Sequence, residues 1–323
     1  MATEAAGSIP DRSVVAARDV PSSVVERLRA ARGFLFDMDG TLVLGDRRNH
    51  GLRPLPGALD ITRWLAERPV PYVVFTNGTG RTPGEYAATL REVGFGVADD
   101  AVMTPASSAV DLFLRRGHRR VLVLGTEGLT RPLREAGIDA VPPRAREQGR
   151  PGADAVLVGL YREFTMDDLE AACHAVWAGA TLYSCSQSVF FATAEGRALG
   201  TSRAICAMIT SVTGRRPRVV GKPSRDALRS AGHRLGVPTR DLAVVGDDPV
   251  LEVPMAHRGD SLAVAVGTGI GADDAYARLP EGARPHLVMR GIDEFLALCR
   301  EVDAATLTAP IKPSRSRRAS GPE

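Results

Sequence analysis

Short stretches in which almost every residue is apolar recur along the chain, and several stop at an acid, a glycine or a threonine. The first is Gly33 to Asp37, followed by Met38-Asp39-Gly40-Thr41. Others run from Val70 to Thr76, Arg120 to Leu124, Asp154 to Leu160, Thr181 to Cys185, Val219 to Val220, Leu242 to Gly246, Ser261 to Val266 and His286 to Met289. Runs this short, with no polar alternation, predict strands buried on both faces, as in parallel sheets. Between them the apolar positions fall at helical spacing. Ile61, Trp64 and Leu65 share a face after Pro56-Gly57, and Asp167 to Trp177 reads as a helix. Ala227, Leu228, Ala231 and Leu235 mark another that Gly236 stops, and a last one runs from Ile292 to about Val302. Thr82-Pro83-Gly84-Glu85 is a helix start, with Thr82 as N-cap, proline in the first turn and Glu85 as capping-box partner; that helix ends near Gly94. Leu44 to Pro56 interrupts the alternation as a charged loop or small flap. Strands alternating with helices predict an α/β protein built on a doubly wound, mostly parallel sheet.

Composition narrows the class. A chain of 323 residues buries a sizeable core and predicts two domains, and 44% apolar with 24% charged residues is ordinary for a soluble globular protein. No apolar run reaches the roughly 18 residues of a membrane span. Met1 to Ser22 has no apolar core of a signal peptide, so a cytoplasmic protein without membrane contact is expected. Cys173, Cys185, Cys206 and Cys299 show no CxxC spacing and read as buried, reduced thiols. His174 and Trp177, beside Cys173 on the same helix, read as packing residues. The net charge of +3 predicts no nucleic-acid partner, because the tail Lys312 to Arg318 holds several of the positive charges. Residues 1–25 and 306–323 are expected to be disordered tails. Of 41 basic residues only Lys222 and Lys312 are lysine. That scarcity singles out Lys222, since a compact ammonium and a planar guanidinium are not interchangeable at a phosphate.

The candidate chemistry lies where apolar runs end. Asp37 and Asp39 are acids one residue apart at the end of a buried strand, where open α/β sheets hold ligands. Carboxylates that close repel unless a cation lies between them, and a hard cation such as Mg²⁺ takes oxygen ligands. Gly40 allows a sharp turn there. Thr76-Asn77-Gly78 offers a hydroxyl and successive N–H groups to phosphate oxygens. Lys222, in Gly221-Lys222-Pro223, offers a point charge. Asp247-Asp248 ends the run Leu242 to Gly246. An Asp-Gly or Asn-Gly pair alone reads as a turn; the weight lies on all four groups following apolar runs.

Asp37-Met38-Asp39-Gly40-Thr41, Thr76, Lys222 and Gly246-Asp247, in that order, resemble the four motifs of the haloacid dehalogenase superfamily. The layout resembles its class IIA, the NagD-like and 4-nitrophenylphosphatase-like branch, over most of residues 33 to 300. The resemblance implies a Rossmann-like core, discontinuous over 26–80 and 217–305, with an α/β cap domain of the C2 type inserted over 81–216. It implies that Asp37 is a nucleophile forming an aspartyl-phosphate and that Asp39 is the general acid and base. Thr76, Asn77, Gly78 and Lys222 would bind phosphate; Asp37, the Asp39 carbonyl and Asp247 would bind Mg²⁺.

Two departures stand out. Glu252 replaces the second acid of the fourth motif, where, with Asp248, it is expected as an outer-shell acid. In the cap, Cys185-Ser186-Gln187-Ser188 stands where the family carries a TNPD-like, substrate-facing string, and the acid is missing. The implied activity is a Mg²⁺-dependent phosphatase acting on a small phosphorylated metabolite. A phosphomutase, or a phosphate-binding protein without turnover, is the alternative. A homodimer through the cap is among the assemblies this layout allows.

Overall fold

The apolar runs become the inner strands of two parallel sheets. The computed structural model describes residues 16–46, 51–68, 70–143, 152–193, 196–270 and 273–308. Helix α1 (Ser22–Ala30) leads into β1 (Gly33–Asp37), a hairpin of β2 (Val43–Leu44) and β3 (Arg53–Pro54), α2 (Ala58–Glu67), β4 (Tyr72–Phe75), α3 (Pro83–Glu92) and β5 (Val102–Met103). Next come α4 (Pro105–Arg116), β6 (Arg120–Leu124), α5 (Glu127–Glu135), β7 (Asp139–Val141), β8 (Ala155–Val158), α6 (Met166–Trp177) and β9 (Thr181–Ser184). A hairpin of β10 (Phe190–Thr193) and β11 (Gly196–Leu199), then α7 (Thr201–Thr213) and β12 (Arg218–Val219), complete the second unit. The chain closes with α8 (Arg225–Leu235), β13 (Leu242–Gly246), α9 (Glu252–Arg258), β14 (Leu262–Val266), α10 (Asp273–Ala277), β15 (Leu287–Met289) and α11 (Ile292–Thr308).

The first sheet has the order β15-β14-β13-β1-β4-β5 and the second β12-β9-β8-β6-β7. Every pairing in both is parallel. β1 is central because all five of its residues are buried. Phe34 and Phe36 pack on one face with α1, α2 and α11, while Leu35 packs on the other with α8 and α9. Full burial of a side chain of this size stabilises by about 1.5–3 kcal/mol, and here both faces of the strand contribute. α3 begins as its sequence signal requires: the Thr82 hydroxyl accepts from Glu85 N (3.2 Å) and the Glu85 carboxylate from Thr82 N (2.8 Å).

Five expectations are corrected. Residues 16–25 are not a loose tail: α1 buries Val24 and Leu28 against the first core. At the other end α11 continues to Thr308, past the expected boundary at 305; the remaining tail residues lie outside those described. The insertion starts later than residue 81, because β5 pairs with β4 in the first sheet. Two buried residues were too short an apolar run to read as a strand. The insertion also ends later than 216, since β12 pairs with β9 in the second sheet. Finally, Cys173 is buried, but His174 and Trp177 lie on the exposed side of α6 and pack edge to face on each other. All four cysteines are buried free thiols, and no described helix is long and apolar enough to cross a membrane.

At the far edge of the first sheet, Ala263 N–H donates to His286 Nδ1 (2.9 Å) and Arg27 Nη1 lies 2.7 Å from Nε2. Burial, then Arg27 and His257, lowers the His286 pKa from 6.5 to about 4. Between those values the unfolded chain binds the proton and the folded chain does not, so stability falls as pH drops from 6.5 towards 4. The ring is half-exposed, and solvent screening reduces the effect to about 1 kcal/mol, or roughly 2–4 °C in Tm. His286→Gln should lessen the loss of Tm between neutral pH and pH about 4.5; calorimetry that finds an unchanged slope would remove His286 as its source.

Candidate active site

Strand order in the first sheet reverses between β1 and β13, and ligands of open α/β sheets bind beyond the carboxyl ends of the strands at such a reversal. Three strand ends converge there: Asp37 to Thr41 after β1, Thr76 to Gly80 after β4, and Asp247 to Glu252 after β13. Lys222 arrives from the return of the insertion. Met38 is buried in the core, while its neighbours Asp37 and Asp39 carry their carboxylates into the crevice, as the period-two geometry of extended chain requires.

Lys222 is fully buried. Its ammonium contacts Asp37 Oδ1 and lies 2.7 Å from Glu252 Oε1. Burial alone would lower its pKa, but the Asp37 and Glu252 carboxylates raise it above the ordinary range, so the lysine is charged. Glu252 Oε2 also accepts from Asp248 N (3.1 Å). Gly246 makes room for this longer acid: a Cβ there would sit 2.1 Å from Glu252 Cγ. Burial pushes Glu252 up to about 8, with Lys222 pulling it back. The Glu252 carboxylate, expected as an outer-shell acid, is engaged by the Lys222 ammonium and the Asp248 backbone amide. Asp248 Oδ1 accepts from Val250 N (2.8 Å) at the entry to α9, and burial raises its pKa.

Asp247 is held by groups on three segments. Thr41 Oγ1 donates to its Oδ1 (3.4 Å), Ile270 N to its Oδ2 (2.7 Å), and the Tyr276 hydroxyl to its carbonyl (2.6 Å). Gly40 has φ +86°, and a Cβ there would lie 2.5 Å from Asp247 Oδ2; one on Gly269 would lie 1.8 Å from the same atom. Both positions need glycine for space, and Gly40 also for handedness. The Thr268 hydroxyl donates to Gly40 O (2.6 Å). The loop after β14 is the part of the site that sequence reasoning missed. Its signal was available, since Gly267-Thr268-Gly269 follows an apolar run as the other groups do.

Thr76 Oγ1 donates to Asp39 Oδ2 (3.1 Å) and accepts from Gly78 N (2.9 Å). Asn77 departs from expectation. Its side chain brackets the Lys222 backbone, Oδ1 accepting from Lys222 N (2.9 Å) and Nδ2 donating to Lys222 O (3.1 Å). Those amide groups position the lysine, while the Thr76 hydroxyl meets Asp39 and the Gly78 amide.

Asn77 Nδ2 also reaches Ser186 Oγ of the second unit (3.4 Å). Ser186 Oγ donates to Ser188 Oγ (3.0 Å), so both hydroxyls lie at the crevice rim. Cys185 does not face a substrate: it is fully buried in the core of the second unit, and burial raises its thiol pKa. Gln187 folds back, Nε2 donating to Ser186 O (3.3 Å), and lines with Arg203 and Thr210 a cavity of about 450 Å³ that includes none of the crevice acids.

Among the described residues no three His, Cys, Asp or Glu side chains form a metal cluster. The expected set needs only the Asp37 and Asp247 carboxylates and the Asp39 carbonyl. Burial, then the Asp37 and Glu252 carboxylates, raises the Asp247 pKa well above its usual value. An all-oxygen donor set with surplus negative charge fits Mg²⁺.

The chain is similar to known proteins. A family model described as haloacid dehalogenase-like hydrolase matches residues 34–139, and a second model of HAD-like hydrolases matches 219–295. The 5'-nucleotidase YutF of Bacillus subtilis is 26% identical over 244 residues, covering 75% of this chain and 90% of that protein. The crystal structure of 4-nitrophenylphosphatase from Thermotoga maritima superposes with a TM-score of 0.74 at 27% identity, covering 84% of this chain and 98% of the other. Glycerol phosphate phosphatase Rv1692 from Mycobacterium tuberculosis, in complex with magnesium, gives 0.71 at 27% identity, covering 83% and 77%.

Proposed function

We propose that this chain, a haloacid dehalogenase-like hydrolase similar to the 4-nitrophenylphosphatases, is a phosphatase that hydrolyses a small phosphomonoester through a phosphoryl group carried on Asp37. The observation that carries this reading is the unequal setting of the two acids: Asp37 is paired with the buried Lys222 ammonium, Asp39 with the Thr76 hydroxyl. A buried ammonium holds one carboxylate for attack beside the charge that meets the phosphoryl oxygens, while the other carboxyl stands beside a hydroxyl at the next strand end.

In the proposed reaction an Asp37 oxygen bonds to phosphorus as the ester P–O bond breaks. Protonated Asp39 gives its proton to the leaving oxygen. As a carboxylate it then takes a proton from water, which attacks phosphorus and releases phosphate and free Asp37. Lys222, Thr76 and the Gly78 region meet the equatorial oxygens, whose charge must be balanced in a loose transition state. Asp37, Asp247 and the Asp39 carbonyl would hold Mg²⁺, which supplies further positive charge to phosphoryl oxygens. Ser186 and Ser188, uncharged hydroxyls at the rim, are proposed to meet the leaving group of a small metabolite of the cytoplasm.

Hydrolysis of 4-nitrophenyl phosphate tests the reading: turnover should stop on chelation and return with Mg²⁺. A protein that binds phosphate but never turns over would favour the binding-protein alternative. Asp39→Asn separates acid from nucleophile. An alkyl leaving group needs a proton and 4-nitrophenolate does not, so the variant should lose about 100-fold more activity on alkyl than on aryl phosphates. Equal losses would mean that Asp39 is not the acid.

A further inference from the structure

The loop that follows β4 is gripped by the second unit. Thr79 is almost fully buried, and its Oγ1 accepts from Leu160 N (2.8 Å) just beyond β8. Its carbonyl accepts from the Thr126 hydroxyl (2.8 Å), just beyond β6. Thr126 stands at the N-cap of α5, where a threonine hydroxyl ordinarily accepts from the helix's own first turn. It makes no such bond and is spent on Thr79 instead. The fit is close: a Cβ on Gly159 would lie 2.8 Å from Thr79 Oγ1, and one on Gly128 would lie 2.5 Å from Arg81 N. From the other side Tyr86 Oη occupies the place of a Gly78 Cβ, at 2.2 Å.

We propose that Thr79 is a positioning residue: it latches the Thr76–Gly80 loop to the strand ends of the inserted domain, so that the place of that domain sets the phosphate-binding geometry of Thr76 and Gly78. The inference rests on the phosphatase reading for what the loop binds. Thr76 and Gly78 are separated from Thr79 by at most two residues, and a shift of ~1 Å in such donors costs on the order of 100-fold in rate. A hydroxyl that merely satisfied the Leu160 amide would act on stability alone.

The test compares full-length wild type with Thr79→Val, which keeps the shape and loses the acceptor, Thr79→Ser, which keeps the acceptor, and Thr126→Val. Inorganic phosphate affinity is measured by calorimetry with Mg²⁺ present, alongside Tm and the kinetics on 4-nitrophenyl phosphate. Thr79→Val should weaken phosphate about tenfold or more and raise KM in parallel, with kcat/KM falling roughly 10–100-fold. Thr79→Ser should stay within about threefold of wild type, and Thr126→Val should move the same way as Thr79→Val by less. If Thr79→Val fails to fold, Thr126→Val carries the test from the other side of the contact. Wild-type phosphate affinity in the valine variants overturns the proposal, as does a serine variant as impaired as the valine one. A wild type that binds phosphate without turnover defeats the phosphatase reading alone, and the affinity comparison still decides the latch. A wild type that does not bind phosphate overturns both.

Discussion

Asp37→Asn is expected to give a folded protein whose hydrolysis of 4-nitrophenyl phosphate is at background, roughly 10⁴-fold or more below wild type. The substitution is nearly isosteric at a buried strand end, and β1 is held by its neighbours and by both cores rather than by this side chain. Lys222 keeps Glu252 as a partner when Asp37 loses its charge, so no isolated ammonium is left in the interior. What disappears in the proposed reaction is the oxygen nucleophile: an uncharged amide cannot form the acyl phosphate. Removing such a group costs far more than removing a binding contact, because the other groups act only through the intermediate it forms. Steady-state rates with matched Tm values decide the matter, and a variant within tenfold of wild type would end the covalent mechanism.

Much of this site was legible because its groups sit at the ends of strands, and such strands announce themselves as short apolar runs. β1, β4, β13 and β14 were all readable in this way, and the first three carry Asp37, Thr76 and Asp247 to one edge. The illegible parts have specific physical causes. β5 has two residues, too few to form a pattern, and the short run read at Val219 to Val220 carries no sign of which sheet β12 joins, yet their pairings decide where the insertion begins and ends. Asn77 follows Thr76 directly, but its side chain is taken up by a backbone 145 residues away, which local spacing does not encode. Glu252 was judged only by its reach towards a metal; the room that Gly246 leaves it and its contact with Lys222 join residues that lie apart in sequence. The contacts between the two units, at Ser186 and Thr79, belong to the same class: each joins residues that only tertiary structure brings together.

Lys222→Met should lower kcat by about 10²–10³-fold, the scale of losing one preorganised charge at a transition state. Methionine fills a comparable volume in a site with no exposure, so the change isolates charge from packing. It leaves Asp37 and Glu252 buried without their cation, and breaking such a pair costs roughly 3–5 kcal/mol. Glu252 limits that cost by binding a proton. It already sits at about 8 with the ammonium beside it, and removal of Lys222 takes away the influence that lowers it, so it rises further. The unfolded chain binds the same proton only below about 4.5. Between those pH values the folded single variant therefore holds a proton that the unfolded chain releases, and its stability falls as pH rises. The double variant Lys222→Met/Glu252→Gln has no carboxyl to protonate there; it should recover much of the lost Tm at pH 8 and lose that part of the slope. Its kcat should remain as low as in the single variant, because no positive charge has returned to the phosphoryl oxygens. A double variant that regained activity with stability would show that Lys222 serves the fold alone.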